Sequence, residues 1–113
     1  MRFLLRSKIH NATVTDARLN YVGSITIDED LMEKAGLVIY EKVLVVSNTT
    51  GTRLETYVIP GPKLSGMICM NGASSHVIKK GEKIIVMGFE LSEKAINPKI
   101  VLVDDKNKFT RYL

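Results

Sequence analysis

No tryptophan occurs in these 113 residues, and only three phenylalanines and four tyrosines do. So few rings argue against a surface built on aromatic stacking, such as those that hold single-stranded nucleic acid. One cysteine, Cys69, excludes an intramolecular disulfide framework and a multi-cysteine zinc site. It stands in the apolar run Met67-Ile68-Cys69-Met70 and reads as a small buried hydrophobe. Apolar runs such as Ile84–Met87 and Ile100–Val103 stop at four residues, far short of the roughly 20 that a membrane-spanning helix needs. The opening Met1-Arg2-Phe3-Leu4-Leu5-Arg6 meets charge too early for a secretory signal, so the chain is expected to stay in the cytoplasm. The glycines at 61, 66, 72, 81 and 88 form no phosphate loop, and no G-x-S-x-G nucleophile elbow occurs. His10 and His76 are far apart and neither has a histidine four residues on, so no metal site is expected.

Long basic runs are also missing. The net charge is +4, yet residues 1–23 hold most of it, with Arg2, Arg6, Lys8 and Arg18 against Asp16. The remaining twelve basic and eleven acidic side chains nearly cancel. A small basic β-barrel that binds nucleic acid is the alternative reading of this charge. It would show a steep salt dependence. Without a Lys/Arg stripe interleaved with rings, a solvated mixed-charge surface accounts for the excess, and neither nucleic acid nor membrane is expected as a partner.

What the chain has in abundance is β-branching. Val, Ile and Thr number 11, 11 and 8 against 5 Ala, and such stiff side chains suit a pleated sheet better than a helix. Strands are predicted over 3–14, 24–27, 42–47, 53–59, 66–70, 83–91, 99–103 and 109–113. Asp28–Gly36 is the one clear helix: Asp28 caps it, acids fill its first turn, Lys34 sits late and Gly36 stops it. Asn48–Gly51 is a hairpin loop. Pro60-Gly61-Pro62 is read as a rigid loop that can be neither strand nor helix. Asn71–His76 is a turn of small residues with room for one helical turn. Alternation along 53–59 puts Arg53, Glu55 and Tyr57 on one face and Leu54, Thr56 and Val58 on the other. The tally is seven or eight short strands with tight turns. It fits one mainly β domain over residues 1–113, a small closed barrel with one or two short helices.

Four short stretches carry the chemistry. Each alone is an ordinary turn or exposed strand face. Together, Lys8-Ile9-His10, Asn20-Tyr21-Val22-Gly23-Ser24-Ile25-Thr26-Ile27-Asp28, Gly51-Thr52-Arg53-Leu54-Glu55-Thr56-Tyr57 and Asn71-Gly72-Ala73 resemble the pyruvoyl-dependent aspartate 1-decarboxylase family, in the expected order, from about residue 1 to about 109. The resemblance implies a double-psi β-barrel, a homotetramer with active sites between neighbouring subunits, and L-aspartate as the substrate. Its product, β-alanine, feeds pantothenate and coenzyme A synthesis.

The resemblance also implies how the chain does without a bound cofactor. Decarboxylating an amino acid leaves a carbanion that needs an electron sink, usually supplied by a cofactor such as pyridoxal phosphate. Here the sink would be a pyruvoyl group made from Ser24, with neither metal nor pyridoxal phosphate. Scission between Gly23 and Ser24 would leave residues 1–23 and 24–113, with Thr56 taking part and, in some relatives, a maturation factor helping. Gly23 would supply backbone angles closed to other residues. In the mature enzyme the pyruvoyl group would form a Schiff base with the substrate amine. Tyr57 would be the proton donor, Arg53 and Lys8 would bind carboxylate, and Asn71, Gly72 and Ala73 would line the pocket. His10 and Tyr21 would stand near the cleaved bond or the substrate. The chain departs from the family at Asn11, where a basic residue is usual, and at Ser74 and Ser75, where alanines are usual. The 62–66 loop lacks a glycine common in relatives, and the tail is short. None of these departures touches Ser24, Arg53, Thr56 or Tyr57.

Overall fold

Nine strands and one α-helix account for most of the chain in a computed structural model that describes residues 1–113. The strands are β1 (Arg2–Thr13), β2 (Asp16–Arg18), β3 (Ser24–Asp28), β4 (Lys42–Ser47), β5 (Arg53–Gly61), β6 (Ile68–Asn71), β7 (Lys83–Ser92), β8 (Lys99–Val103) and β9 (Phe109–Tyr112). They form one sheet in the order β2-β6-β3-β5-β4-β7-β1-β8-β9. Most neighbours run antiparallel, but β2–β6, β3–β5 and β1–β8 are parallel. The mainly β expectation therefore holds. The helices are α1 (Glu29–Ala35) and a 3₁₀ turn over Gly72–His76. No helix is long and apolar enough to cross a membrane.

The helix forms for the local reasons its sequence suggests. The Asp28 carboxylate accepts from the Asp30 N–H at 2.9 Å, and Gly36 ends the helix in the left-handed region at φ 76°. Asp28 does more than cap. Its carboxylate also accepts from the N–H groups of Leu64 and Gly66, at 2.8 Å each, so one buried side chain ties the helix start to the 62–66 loop. That loop is also fixed from the far side: Asn107 Nδ2 donates to the carbonyls of Gly66 and Thr13, while Asn107 Oδ1 accepts from the Thr13 N–H.

One face of the sheet carries the core. Ile9, Ile25, Ile27, Val45, Val58, Ile68, Met70, Ile84, Val86 and Val101 are all fully buried in a single cluster. At two residues per repeat, every second position on these strands looks the other way. On that outward face Leu44, Val46, Ile85 and Met87 are only half-buried, so β4 is covered on one side only.

Two expectations need correcting. Pro60 and Gly61 belong to β5, pairing with Ile27 and Asp28 of β3. Proline is tolerated because β5's pairing with β4 ends at Tyr57, so the missing N–H at Pro60 faces no second strand. The short strand β2 is unexpected from sequence, and brings the strand count to nine.

Candidate active site

The β3–β6 ladder sets Ser24 opposite Asn71 and Thr26 opposite Cys69. Their neighbours Ile25, Ile27, Ile68 and Met70 fill the core, so these four side chains share the outward face. Even so, Ser24, Asn71 and Cys69 are buried there, 1%, 2% and 3% exposed. Buried polar groups must find partners, and these find one another. Asn71 Nδ2 donates to Ser24 Oγ at 2.9 Å and to Thr26 Oγ1 at 2.8 Å, while Cys69 Sγ donates to Asn71 Oδ1 at 3.2 Å. Burial, and then the Asp16 carboxylate, push the Cys69 thiol up from its ordinary pKa, which keeps the donor proton in place. Sequence reading takes Cys69 for a hydrophobe and passes over Thr26. The signal for Thr26 was its position two residues beyond Ser24 on a strand, which is the same face.

The chain before Ser24 is exposed: Tyr21, Val22 and Gly23 all face solvent. Gly23 is not in the left-handed region, and a Cβ built on it meets nothing within 4 Å. The demanding glycine is Gly72, at φ +66°. A Cβ there would stand 2.8 Å from Gly23 Cα, 2.9 Å from Gly23 N and 3.0 Å from Tyr21 O. The start of the 3₁₀ turn therefore lies directly against the Gly23 backbone. Ser74 Oγ and Ser75 Oγ donate to the carbonyls of Asn71 and Gly72, at 2.9 and 2.7 Å. Both hydroxyls, at positions where the family usually has alanine, are thus spent on the turn's own backbone. Ala73 is exposed between them and the Gly72 contact.

Tyr21 is held from the β2 side. The Arg18 guanidinium lies 5.3 Å from its ring centroid, and Arg18 Nη1 donates to its hydroxyl at 3.2 Å. Arg18 Nε in turn donates to Asp16 Oδ2 at 2.7 Å. That bond, with the Ala17 N–H, holds the Asp16 carboxyl below its usual range, while the bonds to Asp16 and then Tyr21 raise Arg18.

The other candidate residues are spread along the sheet. The β3–β5 ladder starts at Ile25 opposite Val58, which leaves Tyr57 at the level of Ser24 on the adjacent strand. The Tyr57 ring centroid is 6.1 Å from that of Tyr40. Thr56 stands opposite Val43, whose side chain is in the core, so Thr56 belongs to the inward row. Thr56 and Tyr57 line a shallow depression of about 300 Å³ with Lys42 and Glu55, whose side chains form an exposed ion pair at 2.7 Å.

Arg53 is exposed and lies four residues before Tyr57 on β5, about 13 Å along the strand at roughly 3.3 Å per residue. Lys8 pairs with Met87 and Ile100 on β1. Strand β1 is four places from β3 in the sheet. His10 pairs with Leu102 beside a bulge in which Asn11 takes φ 70°, a conformation that asparagine tolerates. His10 Nδ1 is buried without a hydrogen-bond partner. The structure therefore brings Ser24, Asn71, Gly72 and Tyr21 together with Gly23, sets Tyr57 alongside, and leaves Arg53, Lys8 and His10 apart from them within one chain. No group of three His, Cys, Asp or Glu side chains is arranged to hold a metal ion.

Fold and site together describe a mainly β protein with a buried serine hydroxyl at the start of an inner strand, beside a tightly packed glycine backbone. Comparison with known proteins adds the family. The family model described as "Aspartate decarboxylase" matches residues 1–110. The aspartate 1-decarboxylase of Acetivibrio thermocellus is 55% identical, over 93% of this chain and 86% of its own length. That of Clostridium botulinum is 53% identical over 96% and 91%, and that of Bacillus velezensis 47% over 99% and 91%. The chain belongs to the aspartate decarboxylase family.

Proposed function

We propose that this chain removes the α-carboxylate of L-aspartate to give β-alanine and CO₂, using a pyruvoyl group made from its own Ser24, and so supplies pantothenate and coenzyme A synthesis in the cytoplasm. The observation that carries the reading is the placement of Ser24: its hydroxyl is buried, held by Asn71, and preceded by a Gly23 that lies against Gly72. Scission begins when Ser24 Oγ bonds to the Gly23 carbonyl carbon. The peptide C–N bond breaks, and the hydroxyl proton ends on the Ser24 nitrogen, leaving an ester. β-Elimination then frees residues 1–23 with a carboxylate at Gly23, and hydrolysis of the resulting dehydroalanine releases ammonia. Thr56 is assigned to this step by family resemblance.

The residues around Ser24 fit the group that would replace it. Asn71 Nδ2 already donates to an oxygen at this position, and Thr26 Oγ1 lies within the same set of bonds. A pyruvoyl group held there supplies an electron-withdrawing carbonyl pair to take up the charge that CO₂ leaves behind. The chain's own side chains do the rest. Tyr57, level with Ser24 on the next strand, delivers the proton of its phenol hydroxyl to the α-carbon. Arg53 grips the carboxylate that stays, through its planar fork. Binding the departing carboxylate would instead stabilise the ground state and raise the barrier. Lys8 adds positive charge, and Gly72 and Ala73 close the pocket. His10 and Tyr21 are assigned to its margin.

Distances within the chain favour assembly. Arg53 lies roughly 13 Å along β5 from the level of Ser24, and Lys8 lies four strands away in sheet order, so strand pairing within one chain sets neither beside Ser24. We therefore assign these cations to the Ser24 of a neighbouring copy, in a homotetramer whose sites lie between subunits. The half-buried outward face around Leu44, Val46, Ile85 and Met87 supports such packing. We further infer a single domain whose sheet closes as a double-psi barrel through the continuous β1–β2 segment. In it, Thr15 hydroxyl and N–H both donate to the Ile68 carbonyl of β6.

A denaturing gel of purified protein beside Ser24→Ala tests the first step. The wild type should show a band lacking residues 1–23 and the variant none. An aspartate-to-β-alanine assay without added pyridoxal phosphate tests the second. Fully active protein that consisted of one uncut chain would overturn the reading.

A further inference from the structure

We propose that Cys69 is a positioning residue for the scission at Gly23–Ser24: its thiol fixes the Asn71 side-chain amide in the orientation that leaves the Ser24 hydroxyl proton free to depart. The inference rests on the self-cleavage put forward above and goes beyond it by adding a residue to the machinery.

A side-chain amide can point either way, and its neighbours decide which. In the observed orientation every group is used. Asn71 Oδ1 accepts from Cys69 Sγ at 3.2 Å, and the two Nδ2 hydrogens go to Ser24 Oγ at 2.9 Å and Thr26 Oγ1 at 2.8 Å. Turned over, Nδ2 would face sulfur, a weak acceptor, and Oδ1 would face two hydroxyls. Ser24 and Thr26 can act as donors or acceptors, so they accept either arrangement. Only the thiol discriminates, and being protonated it does so as a donor. Because Ser24 and Asn71 are almost fully buried, water cannot take its place.

The orientation matters to the chemistry. As Oγ bonds to the Gly23 carbonyl carbon, its proton must leave and finish on the Ser24 nitrogen. With Nδ2 donating to it, Oγ has a hydrogen bond that strengthens as negative charge builds, and its proton is not engaged by Asn71. With the amide reversed, that proton would be held by an amide oxygen, which is no base, and the developing charge would lose its donor. The Cys69 thiol acts two bonds away from the reacting atom and touches neither Gly23 nor substrate.

The test compares Cys69→Ser, Cys69→Ala and Cys69→Val with the wild type and Ser24→Ala. Cleavage is timed by intact mass, and folding is followed by circular dichroism and melting temperature. Serine keeps a donor, whereas alanine and valine remove it with a smaller and a larger side chain. Loss of one such bond is expected to slow cleavage roughly five- to tenfold in both the alanine and the valine variants. Cys69→Ser should cleave at or above the wild-type rate. Should the alanine variant fail to fold, the contrast between serine and valine decides. Alanine or valine variants that cleave at the wild-type rate, or a serine variant as slow as they are, would overturn the inference alone. A wild type that never cleaves would overturn the underlying reading, and this inference with it.

Discussion

Replacing Gly72 with alanine separates the cost of folding from the cost of processing. Gly72 sits at φ +66°, where a Cβ costs about 1–2 kcal/mol for any L-residue. The new methyl would also stand 2.8 Å from Gly23 Cα, 2.9 Å from Gly23 N and 3.0 Å from Tyr21 O, all backbone. Moving from 2.8 Å to the 3.4 Å at which ordinary contact begins requires a shift of about 0.6 Å. The 3₁₀ turn carrying Gly72 is anchored by Ser74 and Ser75, whereas Tyr21–Gly23 is exposed, so the exposed segment moves. Global stability should therefore fall by little more than the left-handed penalty of about 1–2 kcal/mol. Scission should suffer more, because misplacing reacting atoms by about 1 Å can cost roughly a hundredfold. Gly72→Ala should fold and self-cleave at least about tenfold more slowly than the wild type. Gly23→Ala is the control: its Cβ meets nothing within 4 Å, so its melting temperature should be unchanged. Intact mass over time and thermal melting read the two quantities. A Gly72→Ala protein that matured at the wild-type rate would refute the close-packing argument, as would a Gly23→Ala protein equally destabilised.

Three further outcomes are expected. Arg53→Ala should still self-cleave but bind aspartate poorly; if it bound aspartate normally and lost only turnover, the assignment of Arg53 to the retained carboxylate would fail. Asp28→Ala leaves the N–H groups of Asp30, Leu64 and Gly66 without their acceptor and should cost about 3 kcal/mol, seen as a urea midpoint lower by about 1–2 M; an unchanged midpoint would show that the 62–66 loop is held by other contacts. In a carbon-detected NMR titration, Asp16 should titrate below the usual carboxylate range and move up toward it in Arg18→Ala, the Ala17 N–H keeping part of the depression. The sign follows from a folded-state pKa lowered by Arg18: the pair contributes above the ordinary aspartate pKa and is lost as pH falls through the depressed value. An Asp16 that titrated identically in both proteins would exclude the ion pair as the cause.

What the sequence reveals of this molecule tracks how local each determinant is. Helix α1 is legible because its stop signals lie within its own nine residues: the Asp28 cap and the Gly36 terminus are both used as expected. Strands β4, β5 and β7 are legible from their β-branched residues, and the alternation along β5 correctly exposes Arg53 and Glu55 while Val58 is buried. Strand β2 is not legible, since three residues carry no period and form a strand only by pairing with β6, more than fifty residues away in the chain. Pro60 misleads because proline's missing donor matters only where a strand is paired on both sides, and pairing is not written locally.

The site divides in the same way. Ser24, Asn71 and Gly72 are recognisable as short stretches, but which of them constrains the Gly23 backbone is a matter of three-dimensional contact. The burden expected of Gly23 falls on Gly72, and the donor that orients Asn71 comes from a cysteine whose sequence surroundings are purely apolar. Cys69 illustrates the limit well. An apolar run on a strand buried on both sides is written with the same residues whether its outward side meets core or a polar site. Only the partner across the ladder, here Thr26 with Ser24 beside it, tells a thiol that fills space from one that donates. Arg53 and Lys8 show the converse. Their face of the sheet follows from alternation, yet their distance from Ser24 depends on strand order. Strand order sets neither beside Ser24, which is why a second copy of the chain enters the proposal.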